Sequence, residues 1–201
     1  MKIEIIKPDD KRLKEVSKEV VDFTKDYKNI IDQMKNICLE KKAYAAAAPQ
    51  FGINERFIVI MTADEIQNVN EEVKKYNIKP YFNPIITEMV GKQVYYESCI
   101  SVDNAAGKVE RPFSIKLSYQ DINGDRHKRK IEGFESIILC HEIDHLDGIE
   151  YTERAKIMYY DVDPGQRMNI RKKNPHEIIS ISEPFKYSKP NQVIKKYNEN
   201  D

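Results

Sequence analysis

Apolar positions recur at steps of three and four through Tyr27, Ile30, Ile31, Met34, Ile37 and Cys38, with lysine and aspartate between them. That spacing lines one face of a helix, predicted over residues 9–42, with Cys38 as a small core residue on the apolar face. The alanine-rich run that follows would extend the helix by propensity alone. Pro49, however, biases Ala48 toward an extended backbone, and Gly52 followed by Asn54 reads as a turn. Small side chains in this run also let another backbone come close, as a substrate groove requires.

Past the turn the period becomes two. Arg56 to Met61 is a buried β-branched strand, and residues 62–79 are a polar excursion expected to contain a helix. Pro80 to Ile86 reads as extended, its prolines marking a sheet edge or strand start, and Val94 to Ser101 reads as a second extended piece. Ile115, Leu117 and Tyr119 alternate with Lys116 and Ser118, and Asn123-Gly124 signals a hairpin returning through Arg126 to Ile131. Gly133 ends the hairpin, and Phe134 to Leu146 is an apolar helix closed by Gly148. Beyond Tyr160 leucine disappears and lysine, asparagine and proline dominate. One strand is expected at Ile178 to Ile181, and the last ten residues are expected to be mobile.

Composition narrows the function classes. In 201 residues, 33 basic and 33 acidic side chains cancel, so no whole-molecule field draws the chain to nucleic acid or a membrane. The run Arg126-His127-Lys128-Arg129-Lys130 is read as the solvated face of a strand in preference to an RNA contact. Three cysteines without C-x-x-C spacing argue for a reducing compartment. The N-terminus is too short and charged for a signal peptide, and no apolar run spans a bilayer, so the expected location is cytoplasmic.

The candidate chemistry lies on the apolar helix, in Cys140-His141-Glu142-Ile143-Asp144-His145. Two histidines four residues apart share a helix face and can reach one metal ion, and Glu142 beside them can move a proton to or from a water there. A catalytic site of this type needs a third protein ligand. The extended protease pattern H-E-x-x-H-x-x-G-x-x-H is matched at Gly148 but ends on Tyr151. Glu177 falls in a proline-rich segment with little core. Cys99, among small and polar residues on an extended segment, is the better candidate, as a metal-held thiolate, with a buried structural cysteine as the alternative that its residue type alone favours.

Three segments then occur in order: Ala43-Tyr44-Ala45-Ala46-Ala47-Ala48-Pro49-Gln50, Glu97-Ser98-Cys99-Ile100-Ser101 and His141-Glu142-Ile143-Asp144-His145. They resemble the three motifs of peptide deformylases, G-φ-G-φ-A-A-x-Q, E-G-C-φ-S and H-E-φ-D-H. Asn83-Pro84, Val109-Glu110-Arg111-Pro112 and Leu146-Asp147-Gly148 resemble the surroundings, and the likeness covers roughly residues 8–160. It implies hydrolysis of the formyl group from formyl-methionyl nascent peptides, with Cys99, His141 and His145 holding one divalent metal. That metal is Fe(II) natively in the family, with nickel, cobalt or zinc as substitutes; the ligand types alone read equally as zinc. Glu142 would transfer the proton, while Gln50 and the Ile100 N–H would stabilise the oxyanion. Substrate binding would involve Ala43, Tyr44, Ala45, Ile86, Glu97, Ser98, Phe134, Ile137 and Ile138. A transient ribosome contact is the one macromolecular encounter the likeness suggests.

The chain departs from the pattern at three glycines, replaced by Ala43, Ala45 and Ser98. A methyl at Ala45 is expected to crowd the groove, and any positive φ there would cost about 1 kcal/mol or more. Ala106 stands where the family commonly places an arginine, leaving Glu97 without that partner. The departures predict an intact metal centre with altered substrate entry, hence a deformylase of shifted or weakened specificity or one acting on another small N-acyl group. Two other readings remain: a deformylase-like metal-binding protein with little turnover, and an H-E-x-x-H metallopeptidase. The expected fold is α+β, with antiparallel sheets around the central motif helix. Residues 1–165 would form one catalytic domain, followed by a C-terminal extension over 166–201 with one strand and a mobile tail.

Overall fold

The structure is a computed structural model that describes residues 2–63, 76–189 and 191–198. Its first long helix, α1, spans Tyr27–Lys41 and starts at Asp26, whose carboxylate accepts from the Asn29 N–H at 3.2 Å. Tyr27, Ile31, Met34 and Cys38 are its buried face, as the spacing predicts, but the helix is shorter than 9–42. The preceding residues form a 3₁₀ turn at Lys11–Lys14 and then an extended stretch. There Ser17 N–H donates to Leu146 O at 2.8 Å, and Val20 exchanges two 2.8 Å bonds with the Asn83 amide. These long-range bonds satisfy the backbone that a helix would otherwise have to satisfy locally.

After α1 comes the short strand β1, Ala45–Ala47, then a 3₁₀ turn over Ala48–Phe51 closed by Gly52 at φ 70°. β1 pairs antiparallel with β2, Phe57–Ala63, Ala46 facing Val59. The helix expected within 62–79 falls mainly on residues outside those described; Thr62–Ala63 and Tyr76–Lys79 are strand instead. β3, Tyr76–Cys99, is a single 24-residue strand where the sequence suggested two pieces. It is the spine of the molecule. It pairs antiparallel with β2, with β4 (Val102–Arg111) and with β5 (Ser114–Gln120), and β5 pairs with β6 (Arg126–Glu132) across the predicted hairpin.

The prolines do not mark an end of β3. Pro80 pairs only with β2, since β5 joins at Phe82, and Pro84 sits at the irregularity between Phe82 and Ile85. Gly91 takes φ 72° where β8 crosses; a Cβ there would stand 2.6 Å from Ser180 O and 2.8 Å from Phe113 Cβ. No other residue fits that crossing without moving backbone.

The motif helix, α2, spans Phe134–Leu146, matching the sequence reading. Ten of its residues, Ser136, Ile137 and Leu139 to Leu146, are buried, so it is central and covered on nearly all sides. Gly148, at φ 70°, ends it and lies against Lys14 O, which a Cβ would meet at 2.5 Å. Then follow α3 (Tyr151–Arg154), β7 (Ile157–Tyr160), α4 (Pro164–Lys173), β8 (Glu177–Pro184) and β9 (Val193–Lys195). The expected strand near Ile178 is β8, paired with β3. α4 was not anticipated because only Ile170 is buried on it; its signal is the cap, in which Asp163 and Gln166 exchange two 2.8 Å bonds ahead of Pro164. The tail expected to be mobile carries β9, which pairs parallel with β7, Ile157 facing Val193. The 165/166 boundary lies inside α4. The fold is α+β: among the described residues one nine-stranded sheet, antiparallel except at β7–β9, holds α2 at its centre.

Candidate metal centre

β3 ends on Cys99, and the turn Ile100-Ser101 leads straight into β4, with Cys99 facing Val102. The register shifts between Glu97 and Cys99, with Asn104 on β4 at φ 45°, so the strand is bent where the thiol is presented. From the opposite side α2 presents His141 and His145, one turn apart. The Cys99, His141 and His145 ligand atoms all lie within 4.8 Å of one another, and His145 Nε2 is 3.2 Å from Cys99 Sγ. The three predicted ligands therefore converge. Tyr151 is not among them: its ring stacks on His141 at 5.7 Å between centroids.

The electrostatics separate this cysteine from the other two. Burial, more than any neighbouring charge, pushes the Cys38 and Cys140 thiols up to about 12. At Cys99 enclosure also opposes charge, but His145 and His141 outweigh it and hold the thiol well below its ordinary range. Burial disfavours protonated His141, yet Cys99 and Glu97 overcome this and raise its pKa. Glu97 Oε2 accepts from His141 Nδ1 at 2.8 Å, which leaves Nε2 for a ligand. A thiolate and two imidazoles suit a divalent cation of the iron, zinc or nickel kind. The donor set fits a metal.

Gln50 closes the site from the 3₁₀ turn. Its Oε1 accepts from the Ala47 N–H at 2.9 Å, which aims the amide nitrogen at Cys99 Sγ and Ser101 Oγ, 3.1 Å from each. Ser101 also stands 3.1 Å from Cys99 Sγ. Glu142 is buried beside the ligands; desolvation pushes its carboxyl up to about 7, against the pull of His141 and His145. Its Oε2 has no hydrogen-bond partner among the described residues. A cleft of about 330 Å³ opens over this floor, with Ile100, Ile137, Ile138 and Phe134 among its walls and the exposed Tyr44 at its edge.

Two expectations about the surroundings are corrected, the missing partner of Glu97 and the place of Ile86. Glu97 has an arginine: Arg111, 14 residues on, donates Nε at 2.7 Å and Nη2 at 2.8 Å to its two oxygens. Burial raises the Glu97 carboxyl, but Arg111 and then His141 bring it to about 2, and it orients His141 while also lining the cleft. Neither Ala43 nor Ala45 has positive φ, so no backbone strain follows from losing the glycines. Ala45 belongs to the buried cluster around Ile58, Tyr81 and Leu139 while also lining the cleft. Ser98 lines the cleft with its hydroxyl engaged by Arg171 at 2.7 Å. Ile86 is not in the cleft wall; it faces Leu117 across β3 and β5 and packs on the core.

Several residues were missed. Tyr95 shares the β3 face of Glu97, a period-two signal, and packs edge-on to Phe134 at 5.0 Å. Arg111 also reaches Asp144, which Arg154 binds through Nε at 3.0 Å and Nη2 at 2.7 Å. Tyr187, from the C-terminal extension, covers this network, accepting from Arg111 Nη1 at 3.1 Å with its ring 3.8 Å from the Arg154 guanidinium carbon. Nothing local in the sequence marks that contact. Tyr187→Ala is expected to lower stability by about 2 kcal/mol and Tyr187→Phe by about 1, read as urea midpoints. Equal midpoints for all three proteins would make the cover energetically idle.

The chain is similar to known proteins in sequence and in fold. Residues 2–159 match the family model for polypeptide deformylase. A peptide deformylase of Acetivibrio thermocellus is 32% identical over 176 residues, covering 86% of this chain and 95% of that protein. A crystal structure of a probable peptide deformylase from synechococcus phage S-SSM7 superposes with a TM-score of 0.68 at 32% identity, covering 76% of this chain and 99% of its own. The Met-Ala-Ser-bound class I type b peptide deformylase of Acinetobacter baumannii gives 0.65 at 28% identity, covering 77% and 98%. With the family model spanning most of the chain and the ligand set converged, this chain belongs to the polypeptide deformylase family.

Proposed function

We propose that this protein hydrolyses the formyl amide of N-formylmethionyl nascent peptides, releasing formate, with a divalent metal held by Cys99, His141 and His145. The observation that carries this reading is the convergence of the Cys99, His141 and His145 ligand atoms within 4.8 Å of one another, beside Glu142 on the floor of the cleft. When bound, the metal, Fe(II) natively with zinc, nickel or cobalt as alternatives, supplies Lewis acidity at the scissile group and draws Glu142 back toward its ionised form.

The chain's own residues do the rest. The Glu142 carboxylate takes a proton from the attacking water and delivers it to the amide nitrogen as the C–N bond breaks. The Gln50 amide and the Ile100 N–H stabilise the negative charge that develops on the formyl oxygen. Phe134, Ile137, Ile138 and Tyr44 enclose the methionine side chain. β1 pairs only with β2 among the described residues, so its other edge, near Ala43 and Ala45, is open to an extended peptide backbone. The Acinetobacter relative binds Met-Ala-Ser, an unformylated peptide that begins with methionine.

We place this activity in the cytoplasm, on chains leaving the ribosome and with at most transient contact with it. We take residues 1–165 as the catalytic unit and 166–201 as an extension of it, with α4 straddling the boundary. Among the described residues no helix is long and apolar enough to cross a membrane. The test is formate release from formyl-Met-Ala-Ser by protein loaded anaerobically with iron or nickel. Fully metallated protein that releases none would overturn the reading for this substrate. Cys99→Ala is expected to weaken metal binding by more than about a hundredfold, since even outer-shell losses cost 10–100-fold. Unchanged calorimetric affinity would remove Cys99 from the ligand set.

A further inference from the structure

We propose that the mouth of this cleft selects formyl peptides bearing acidic side chains directly after the formyl-methionine. The inference rests on the hydrolase reading above and names the substrate class of the same site. Seven charged residues line the cleft: Lys41, Lys42, Arg167 and Arg171 against Glu97, Glu142 and Asp103. Two of the carboxylates do not act at the mouth. Glu97 is buried in its pairing with Arg111 and His141, and Glu142 is buried on the floor. Four cations therefore face one exposed carboxylate of the cleft lining, Asp103, with Lys41 also paired to Glu40 at 3.5 Å, in a chain whose 33 basic and 33 acidic residues otherwise cancel.

The cations approach from two sides. Lys41 and Lys42 come from the end of α1, and Arg167 and Arg171 from α4, which lies beyond the residues matched by the family model. Basic residues at helix C-termini are often explained by the helix dipole, and that explanation serves Lys41 and Arg171. It does not serve the other two. Lys42 occupies a left-handed cap at φ 54°, where glycine or asparagine costs less, and no ion pair holds it among the described residues. Arg167 sits in the middle of α4, half-buried, likewise without an ion pair among the described residues. Arg171 is fixed beside them, donating to Tyr96 O at 2.9 Å and to Ser98 Oγ at 2.7 Å. Ser98, which replaces a motif glycine, thus anchors one wall of the basic mouth. A concave site walled by protein and lined by one sign of charge concentrates ligands of the other sign.

The experiment compares metal-loaded protein on three C-terminally amidated peptides, formyl-Met-Glu-Glu, formyl-Met-Gln-Gln and formyl-Met-Lys-Lys, followed by formate release. The expected order of kcat/KM is Glu above Gln above Lys, with at least about tenfold between the extremes at low salt, shrinking toward equality at 0.5 M salt as screening sets in. The double variant Lys42→Glu/Arg167→Glu is expected to reverse the order. Equal rates on all three peptides, or the parental order kept in the double variant, overturn the acidic preference while leaving the hydrolase reading intact. No formate from any peptide overturns the hydrolase reading instead.

Discussion

Glu142→Gln is expected to keep the metal and to lower kcat on formyl-Met-Ala-Ser by about a thousandfold, within the range of a lost general acid–base catalyst. The substitution keeps the shape of a side chain that is only 5% exposed and removes only its capacity to carry a proton. Cys99, His141 and His145 make their contacts without Glu142, so metal content measured by atomic absorption should match the parent's. KM should change little, because the carboxylate acts on protons and not on the methionine pocket. A variant with a rate within threefold of the parent's would exclude Glu142 as the proton carrier. Loss of the metal would instead show that Glu142 supports the ligands.

Arg111→Leu should produce the largest stability loss, about 3–5 kcal/mol, and lower Tm by roughly 10 °C, since one partner of a buried ion network is removed while the others stay. Arg111 has no exposed surface and binds both Glu97 and Asp144, themselves nearly inaccessible. In the variant Glu97 retains only His141 among these partners, and Asp144 retains Arg154. Adding Glu97→Gln to Arg111→Leu should recover part of the loss, because it removes a stranded charge; calorimetric unfolding of the two proteins checks this. If the double variant were less stable than the single by the full cost of Glu97→Gln alone, the two residues would not be coupled. Because Glu97 orients His141, the single variant should also bind metal about tenfold more weakly.

The helix carrying the chemistry was legible because every local signal agreed: an apolar run, Gly133 before it, Gly148 after it, and two histidines at helical spacing. The hairpin at Asn123-Gly124 and the alternating strand through Ile115 were equally local. Cys99 and Gln50 were found through their motifs, since a ligand set drawn from three separate elements leaves no periodic trace. The sequence reading failed where tertiary bonds override weak local preference. Asn83 and Leu146 hold residues 17–20 extended, against the helix predicted through them, and pairing of Glu88 to Gln93 with β5 and β8 joins two apparent strands into one.

The sequence by itself determined the donors, their order and the central helix, because residue type and spacing are local properties. Only the tertiary structure decided what surrounds those donors. Arg111 reaches Glu97 along neighbouring strands, Tyr187 covers the network from 76 residues away, and α4 brings two arginines to the mouth. Long side chains bridge elements at distances set by sheet register and strand bending, and neither can be counted along the chain.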